Sequence, residues 1–426
     1  MLALATIAGA LATVIWAALI FARGGFWRLR QSIARLPCAA PGRADRLYAR
    51  ARDAHLPDHA PHNLASPRVA AVVPARNEAE FIAASVQSLL KQGVEVFLVD
   101  DHSTDSTSAI ARAAAADVGK SAALTVIAAE PLPAGWSGKL WALKQGVACA
   151  LDPNKPTAGL PGTPALEISP DFLLLTDADI VHRPETVATL TALANSGGYD
   201  LVSFMVKLHC RSFAEKLLIP AFVFFFFLLY PPAWIRNSRR GSAGAAGGCM
   251  LIRPQALERA GGLEAIRAEI IDDCALARMV KHSGGRVSLW LTDGSASVRP
   301  YGSWTGIGQM ISRTAFNQLR HSTGLLLATL FGLVVIYLLP PLLLLAPSTA
   351  PLALGALACG LMTFAYFPMV RFYGLHPGWA LTLPFAAAFY AGATVHSAVS
   401  YWRGRGGEWK GRVQDAPAVI TGLPEK

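Results

Sequence analysis

Phe172-Leu173-Leu174-Leu175-Thr176-Asp177-Ala178-Asp179 joins an uninterrupted apolar run to two carboxylates. Such a run reads as a strand buried on both faces, as in a parallel sheet. Side chains alternate across a strand, so Asp177 and Asp179 are expected to point to the same side. In an open α/β sheet, ligands collect beyond the carboxyl ends of the strands. Two acids there can hold a divalent cation against a phosphate-bearing substrate. They can also be solvated or cap the next helix.

The flanking sequence repeats the pattern. Val69 to Pro74 is a second buried strand. Asn77 follows as a helix cap with Glu80 at the capping-box position, which predicts a helix to Gln92. Glu95 to Asp100 is another strand, and Asp101 to Asp105 turns into an Ala-rich helix through Ala116. Leu124 to Ala128 is a strand, and Trp136-Ser137-Gly138-Lys139 opens a helix through Ala150. Five Pro between 153 and 170 mark a surface loop. Strand alternating with helix predicts an α/β, doubly wound sheet. Further on, Leu201 to Val206 and Cys249 to Ile252 read as strands. Gly241 to Gly248 is either a flexible loop or a close approach of backbone to ligand. Asp272 and Asp273 open a helix, where two acids suit the N-terminal dipole.

The 426 residues are 53% hydrophobic and only 15% charged, too apolar for an ordinary soluble protein. Leu2 to Phe21 is long enough to cross a bilayer. Eight Arg between Arg23 and Arg52 follow it. This order predicts an uncleaved anchor with its basic side in the cytoplasm. The net charge of +10 thus points to a membrane surface, and no zinc-finger or RNA-binding signature points to nucleic acid. The six Cys have no C-x-x-C spacing and are expected to be reduced and mostly buried. No G-x-G-x-x-G or P-loop spacing occurs, which removes dinucleotide and kinase readings.

Three apolar stretches close the chain: Leu325 to Ala346, Leu352 to Val370 and Trp379 to Tyr401. Three crossings would leave the tail outside, yet Arg403, Arg405, Lys410 and Arg412 favour the inside, so the number of crossings stays open. Leu217 to Trp234 is also apolar enough to span. A single crossing there would separate Asp177 and Asp179 from Asp273. The segment is therefore expected to be interfacial or re-entrant, with Arg236, Arg239 and Arg240 at the headgroups. The expected domains are an anchor at 1–22, a basic linker at 23–67, a catalytic domain at 68–322 that includes this helix at 217–235, apolar helices at 323–402 and a basic tail at 403–426.

The ordered motifs are Pro74-Ala75-Arg76-Asn77-Glu78, the Asp100-Asp101 strand end, Asp177-Ala178-Asp179, Gly247-Gly248-Cys249, Asp272-Asp273 and Asn317-Gln318-Leu319-Arg320-His321. Over roughly residues 68 to 324 this order resembles the family 2 glycosyltransferases. The wording and membrane layout look most like the subgroup associated with bacterial hopanoid biosynthesis. The resemblance implies a GT-A (Rossmann-like) domain facing the cytoplasm on a bacterial inner membrane. It implies inverting transfer from a nucleotide-sugar donor to a membrane lipid.

The resemblance also implies roles. Pro74, Glu78, Asp100 and Asp101 line the nucleotide pocket, where carboxylates accept from base and ribose donors. Lys139 neutralises a phosphate. Asp179, assisted by Asp177, binds Mg2+ or Mn2+. Asp273, beside Asp272, is the general base. Arg320 contacts the pyrophosphate, with Arg313 as a second candidate. The family's last motif commonly ends Arg-Trp, whereas here it ends Arg320-His321. The missing Trp favours single transfer over the alternative of a processive polysaccharide synthase. A non-catalytic nucleotide- or lipid-binding scaffold is the other alternative.

Overall fold

The computed structural model describes residues 2–29, 67–152 and 169–407. Cys38, most of the basic linker, the Pro-rich insert and most of the tail lie outside the described residues.

The chain begins with α1 (Leu2–Ala22). The α/β domain then runs β1 (Val69–Ala75), α2 (Ile82–Leu90), β2 (Glu95–Asp100), α3 (Thr107–Asp117), β3 (Leu124–Ala128), α4 (Gly138–Ala150) and β4 (Phe172–Thr176). It continues through β5 (Ile180–His182), α5 (Thr186–Gly197), β6 (Leu201–Lys207), α6 (Phe213–Leu229) and α7 (Pro232–Arg236). It closes with β7 (Cys249–Ile252), α8 (Pro254–Arg259), α9 (Asp272–His282), β8 (Val287–Ser297) and α10 (Trp304–Gln318). Three apolar helices follow. They are α11 (Thr323–Leu333), prolonged through a π turn at Val334–Leu338 to Leu343, then α12 (Thr349–Phe372) and α13 (Leu383–Trp402).

One eight-stranded sheet has the order β3-β2-β1-β4-β7-β6-β8-β5. The first four strands are parallel, as the alternation of strand and helix demands. The other half is mixed, because β7 runs antiparallel to both β4 and β6. β8 pairs with β6 from Val287 to Leu291, then bulges and pairs with β5 at Ser295 to Ser297. A bulge bends its strand. The sheet therefore curls, and the end of β8 comes round to the turn after β4.

The two sheet faces bury separate cores. One packs Val73, Leu98 and Leu174 against α2, α3 and α5. The other packs Val72, Val99 and Leu175 in a cluster that continues through α6 into α1, α12 and α13. Trp16 of α1 donates to the Ile336 carbonyl at 2.8 Å, within the π turn, where the helical hydrogen-bond ladder is interrupted. Among the described residues, five helical segments are long and apolar enough to cross a membrane, including Phe213–Arg236, whose window is the most buried at 56%.

Several local expectations change. Asn77 does not cap α2, which starts at Ile82 without a side-chain cap. Its backbone is left-handed, with φ 53°, and its Oδ1 accepts from Thr104 N at 2.8 Å. It links the loops after β1 and β2 instead. β4 stops at Thr176, so strand alternation does not set the directions of Asp177 and Asp179. Arg236 lies with its guanidinium 4.4 Å from the Trp290 ring centroid and donates to Leu289 O, so it is bound to β8. The five described Cys are free thiols, and Cys249 and Cys274 are buried.

Candidate active site

The parallel strands deliver their carboxyl ends to one edge of the sheet, and the acidic turns collect there. Ser137 caps α4 by accepting from Leu140 N at 3.3 Å. That cap places Lys139 in the first turn, facing the end of β4. Its Nζ is 2.9 Å from Asp177 Oδ1 and 3.4 Å from Asp272 Oδ2. Burial opposes its charge, but Asp177, Asp272 and Asp273 outweigh burial and hold the ammonium protonated. Burial pushes the Asp177 carboxyl up, Lys139 pulls it down, and Asp179 and Asp272 add to the rise.

Asp179 is held from the other side. Ser297 Oγ donates to its Oδ2 at 3.1 Å and Arg299 Nε at 3.0 Å. The backbone N–H of Val298 donates to its carbonyl. The same Arg299 binds Glu78 through Nη2 and lies 4.6 Å from the Phe81 ring centroid. Arg299 therefore ties three distant segments together.

Asp273 opens α9. Its Oδ2 accepts from Gly247 N and its Oδ1 from Cys274 N, both at 2.7 Å. Burial and the neighbouring Asp272 push its carboxyl up to about 6, although Lys139 and the two N–H donors oppose the rise. It is therefore a stronger base than an ordinary carboxylate, yet ionised at neutral pH.

Two cavities meet at these residues. A polar one of about 400 Å³ is lined by Pro74, Glu78, Lys139, Asp177, Asp179, Asp272, Arg299 and Arg313 among others. An apolar one of about 470 Å³ shares Lys139, Asp177, Asp179, Asp272 and Arg313 and adds Asp273. Its wall is Phe222, Phe225, Phe226 and Leu229 of α6, with Thr329, Tyr390 and Thr394 from the C-terminal helices.

Residues 67–296, more than half of the chain, match the family model described as glycosyltransferase like family 2. The chain belongs to this family. Its mixed, curled α/β sheet is the GT-A-like glycosyltransferase fold. The mannosyltransferase PcManGT from Pyrobaculum calidifontis, solved in complex with GDP-Man and Mn2+, is 18% identical, covering 91% of this chain and 98% of that one, with a TM-score of 0.48. Glucosyl-3-phosphoglycerate synthase from Mycobacterium tuberculosis, in complex with phosphoglyceric acid, is 16% identical over 65% of this chain and 81% of that one, with a TM-score of 0.36. TarS of S. aureus is 15% identical over 79% and 56%, with a TM-score of 0.35. No curated protein sequence matches.

Within the glycosyltransferase domain, the structure brings together Pro74, Glu78, Lys139, Asp177, Asp179, Asp272, Asp273 and Arg313. It does not bring in three of the expected residues. Asp100 accepts from Ser103 N at 2.9 Å and from Ser108 Oγ, which turns it into its own loop. Asp101 is bound by Arg76 and His102. Neither lines either of these two cavities. Arg320 also lines neither. α10 ends at Gln318, and left-handed Arg320 and His321, φ 52° and 55°, reverse the chain. Arg320 is exposed. Arg313 faces the site instead, and its buried Nε has no hydrogen-bond partner among the described residues.

Arg299, which lines the polar cavity and pairs with Asp179 and Glu78, is the site residue the sequence did not point to. No local pattern marks it, because its partners lie on distant turns. The only usable signal was its place just past an alternating apolar segment, now seen as β8.

Among the described residues, no group of three or more His, Cys, Asp or Glu could by itself hold a metal ion. Mg2+ commonly takes one or two carboxylates and completes its shell with substrate phosphate and water. Asp177 and Asp179 fit that arrangement. Among the described residues, cations engage Oδ1 of the first and Oδ2 of the second, which leaves each the other carboxylate oxygen.

Proposed function

We propose that this chain is a membrane-held, inverting, metal-dependent glycosyltransferase. It moves one sugar from a nucleoside-diphosphate donor, UDP-linked in the simplest case, to a hydroxyl of a membrane lipid. The proposed acceptor class is a hopanoid-type terpenoid. Family membership supports glycosyl transfer from a nucleotide-sugar donor. The lipid acceptor rests on one observation: Asp273 lines the apolar cavity and not the polar one, while Asp177, Asp179 and Lys139 line both.

The donor diphosphate lies in the polar cavity, facing Lys139 and Arg313. The acceptor lies along Phe222, Phe225 and Phe226 with its hydroxyl at Asp273. The hydroxyl oxygen attacks the anomeric carbon from the face opposite the diphosphate, and Asp273 takes its proton. The bond to the diphosphate breaks and its electron pair leaves with the nucleotide. Positioned proton removal of this kind contributes on the order of 10²–10⁴-fold. Asp179, with Asp177, would hold Mg2+ or Mn2+, whose charge offsets that of the departing diphosphate.

A catalytic domain on the cytosolic side of a bacterial inner membrane accommodates the same geometry. Asp177, Asp179 and Asp273 line a shared space, so the apolar segment between them starts and ends on one side. This supports a re-entrant or interfacial path for 217–235.

The test uses purified full-length protein in detergent, a panel of nucleotide sugars and a host lipid extract. The expected result is a one-sugar mass increment on a lipid, lost with chelator and restored by Mn2+ or Mg2+. A ladder of increments would favour processive synthesis, and no turnover with any donor would overturn the reading. Intact transfer by a folded Asp273→Asn variant would remove Asp273 as the base.

A further inference from the structure

We propose that Arg299 is the resident counter-cation of the donor site: it occupies Asp179 when the site is empty and moves to the diphosphate when donor and divalent cation arrive together. The inference rests on reading the polar cavity as a nucleoside-diphosphate site.

Three observations carry it. First, Arg299 Nε takes Asp179 Oδ2 at 3.0 Å, an oxygen of one of the two carboxylates proposed to hold the divalent cation. Second, its Nη2 takes Glu78, so one guanidinium compensates two acids that line the same cavity. Third, the side chain is part-exposed at 33% and itself lines that cavity. It is therefore within the space a diphosphate would enter. Guanidinium binds carboxylate and phosphate with the same planar fork, so it can exchange one for the other.

The charges set opposite signs for the two ligands. A divalent cation approaching Asp179 meets the positive charge of Arg299 and competes with it for the carboxylate. A diphosphate is attracted by that same charge. Removing Arg299 should thus help the cation and harm the nucleotide. A residue that only braced the loop would harm both.

The experiment compares full-length wild type, Arg299→Gln and Arg299→Lys in detergent. Binding of Mn2+ alone is followed by electron paramagnetic resonance. Binding of UDP and GDP at saturating Mn2+ is followed by calorimetry, and thermal melts check folding. For Arg299→Gln, Mn2+ alone should bind about threefold tighter or more and the nucleotide about tenfold weaker, consistent with a neighbouring charge removed. Arg299→Lys keeps the charge without the fork. It should stay near wild type for Mn2+ and lose a smaller part of nucleotide affinity, and it supplies the comparison if Arg299→Gln does not fold. Parallel weakening of both ligands, or no change in either, overturns the inference while leaving the donor reading standing. Wild-type protein that binds neither UDP nor GDP overturns the donor reading, and this inference with it.

Discussion

The ammonium of Lys139 lies 2.9 Å from Oδ1 of Asp177, joining the first turn of α4 to the turn after β4. The same Nζ is 3.4 Å from Asp272 at the start of α9. One cation therefore holds two acids that would otherwise repel across the donor cavity. Lys139→Met should lower transfer on the order of 10²-fold, the scale of removing one preorganised electrostatic group. Lys139→Arg should recover part of that loss. Initial rates, with circular dichroism to confirm folding, measure both.

The raised Asp273 carboxyl predicts the pH profile. Its proton must be off for it to act as a base, so the rate should fall as pH drops through about 6. Asp273→Asn should lose that limb and at least about 10²-fold in rate. The stability sign follows from a folded pKa above the unfolded one. Protonation favours the fold, and this contribution is lost as pH rises through about 6. Relative to wild type, Asp273→Asn should therefore melt higher at pH 7.5 than it does near pH 4, close to the unfolded carboxyl value.

Gly247 lies in the wall of the apolar cavity, against both Lys139 and Asp273. A methyl group there would lie 3.2 Å from Lys139 Nζ and 3.3 Å from Asp273 Oδ2. One of the two must shift to admit it. Gly247→Ala should leave the melt almost unchanged and reduce kcat about tenfold, a misplacement effect rather than a folding one. An unchanged kcat would show that neither group needs its present position.

Glu215 is a structural acid at the start of α6. It is 1% exposed and accepts from Arg211 N, Ser212 N, Tyr301 N and His209 Nδ1 within 2.9 Å. Burial raises its carboxyl, but these donors outweigh burial and hold it down near 2. Its stabilisation is therefore present above the ordinary carboxyl value and lost as pH falls through about 2. Glu215→Ala strands three backbone N–H groups and should cost about 3 kcal/mol or more at neutral pH. A thermal melt in detergent measures it. Activity should fall with it, because Tyr301 lies in the walls of both cavities.

Most strands were legible because they are runs of apolar residues. Val69 to Pro74, Glu95 to Asp100, Leu124 to Ala128 and Cys249 to Ile252 match their elements to within a residue. The three-residue β5 and the bulged β8, with Asp293 and Gly294 inside it, carry no such signal. The site was legible as residue types in order, not as partners. Asp177, Asp179, Lys139 and Asp273 were visible as acids and a cation at strand ends and helix starts. Asp100 and Asp101 looked equivalent to them, yet the left-handed turns at Asn77 and His102 fold that loop onto itself.

The sequence by itself determined an α/β domain between apolar helices and the order in which its acids arrive. Those properties follow from hydrophobic period, turn residues and length, all of which act locally. Only the tertiary structure decided which cation meets which acid. Lys139 reaches Asp177 and Asp272 from the capped start of α4, and Arg299 reaches Asp179 and Glu78 because the bulge in β8 curls the sheet and carries its end to the turn after β4. Ion pairing depends on separations of a few ångströms, and at 120 and 221 positions apart those separations are a property of the curl.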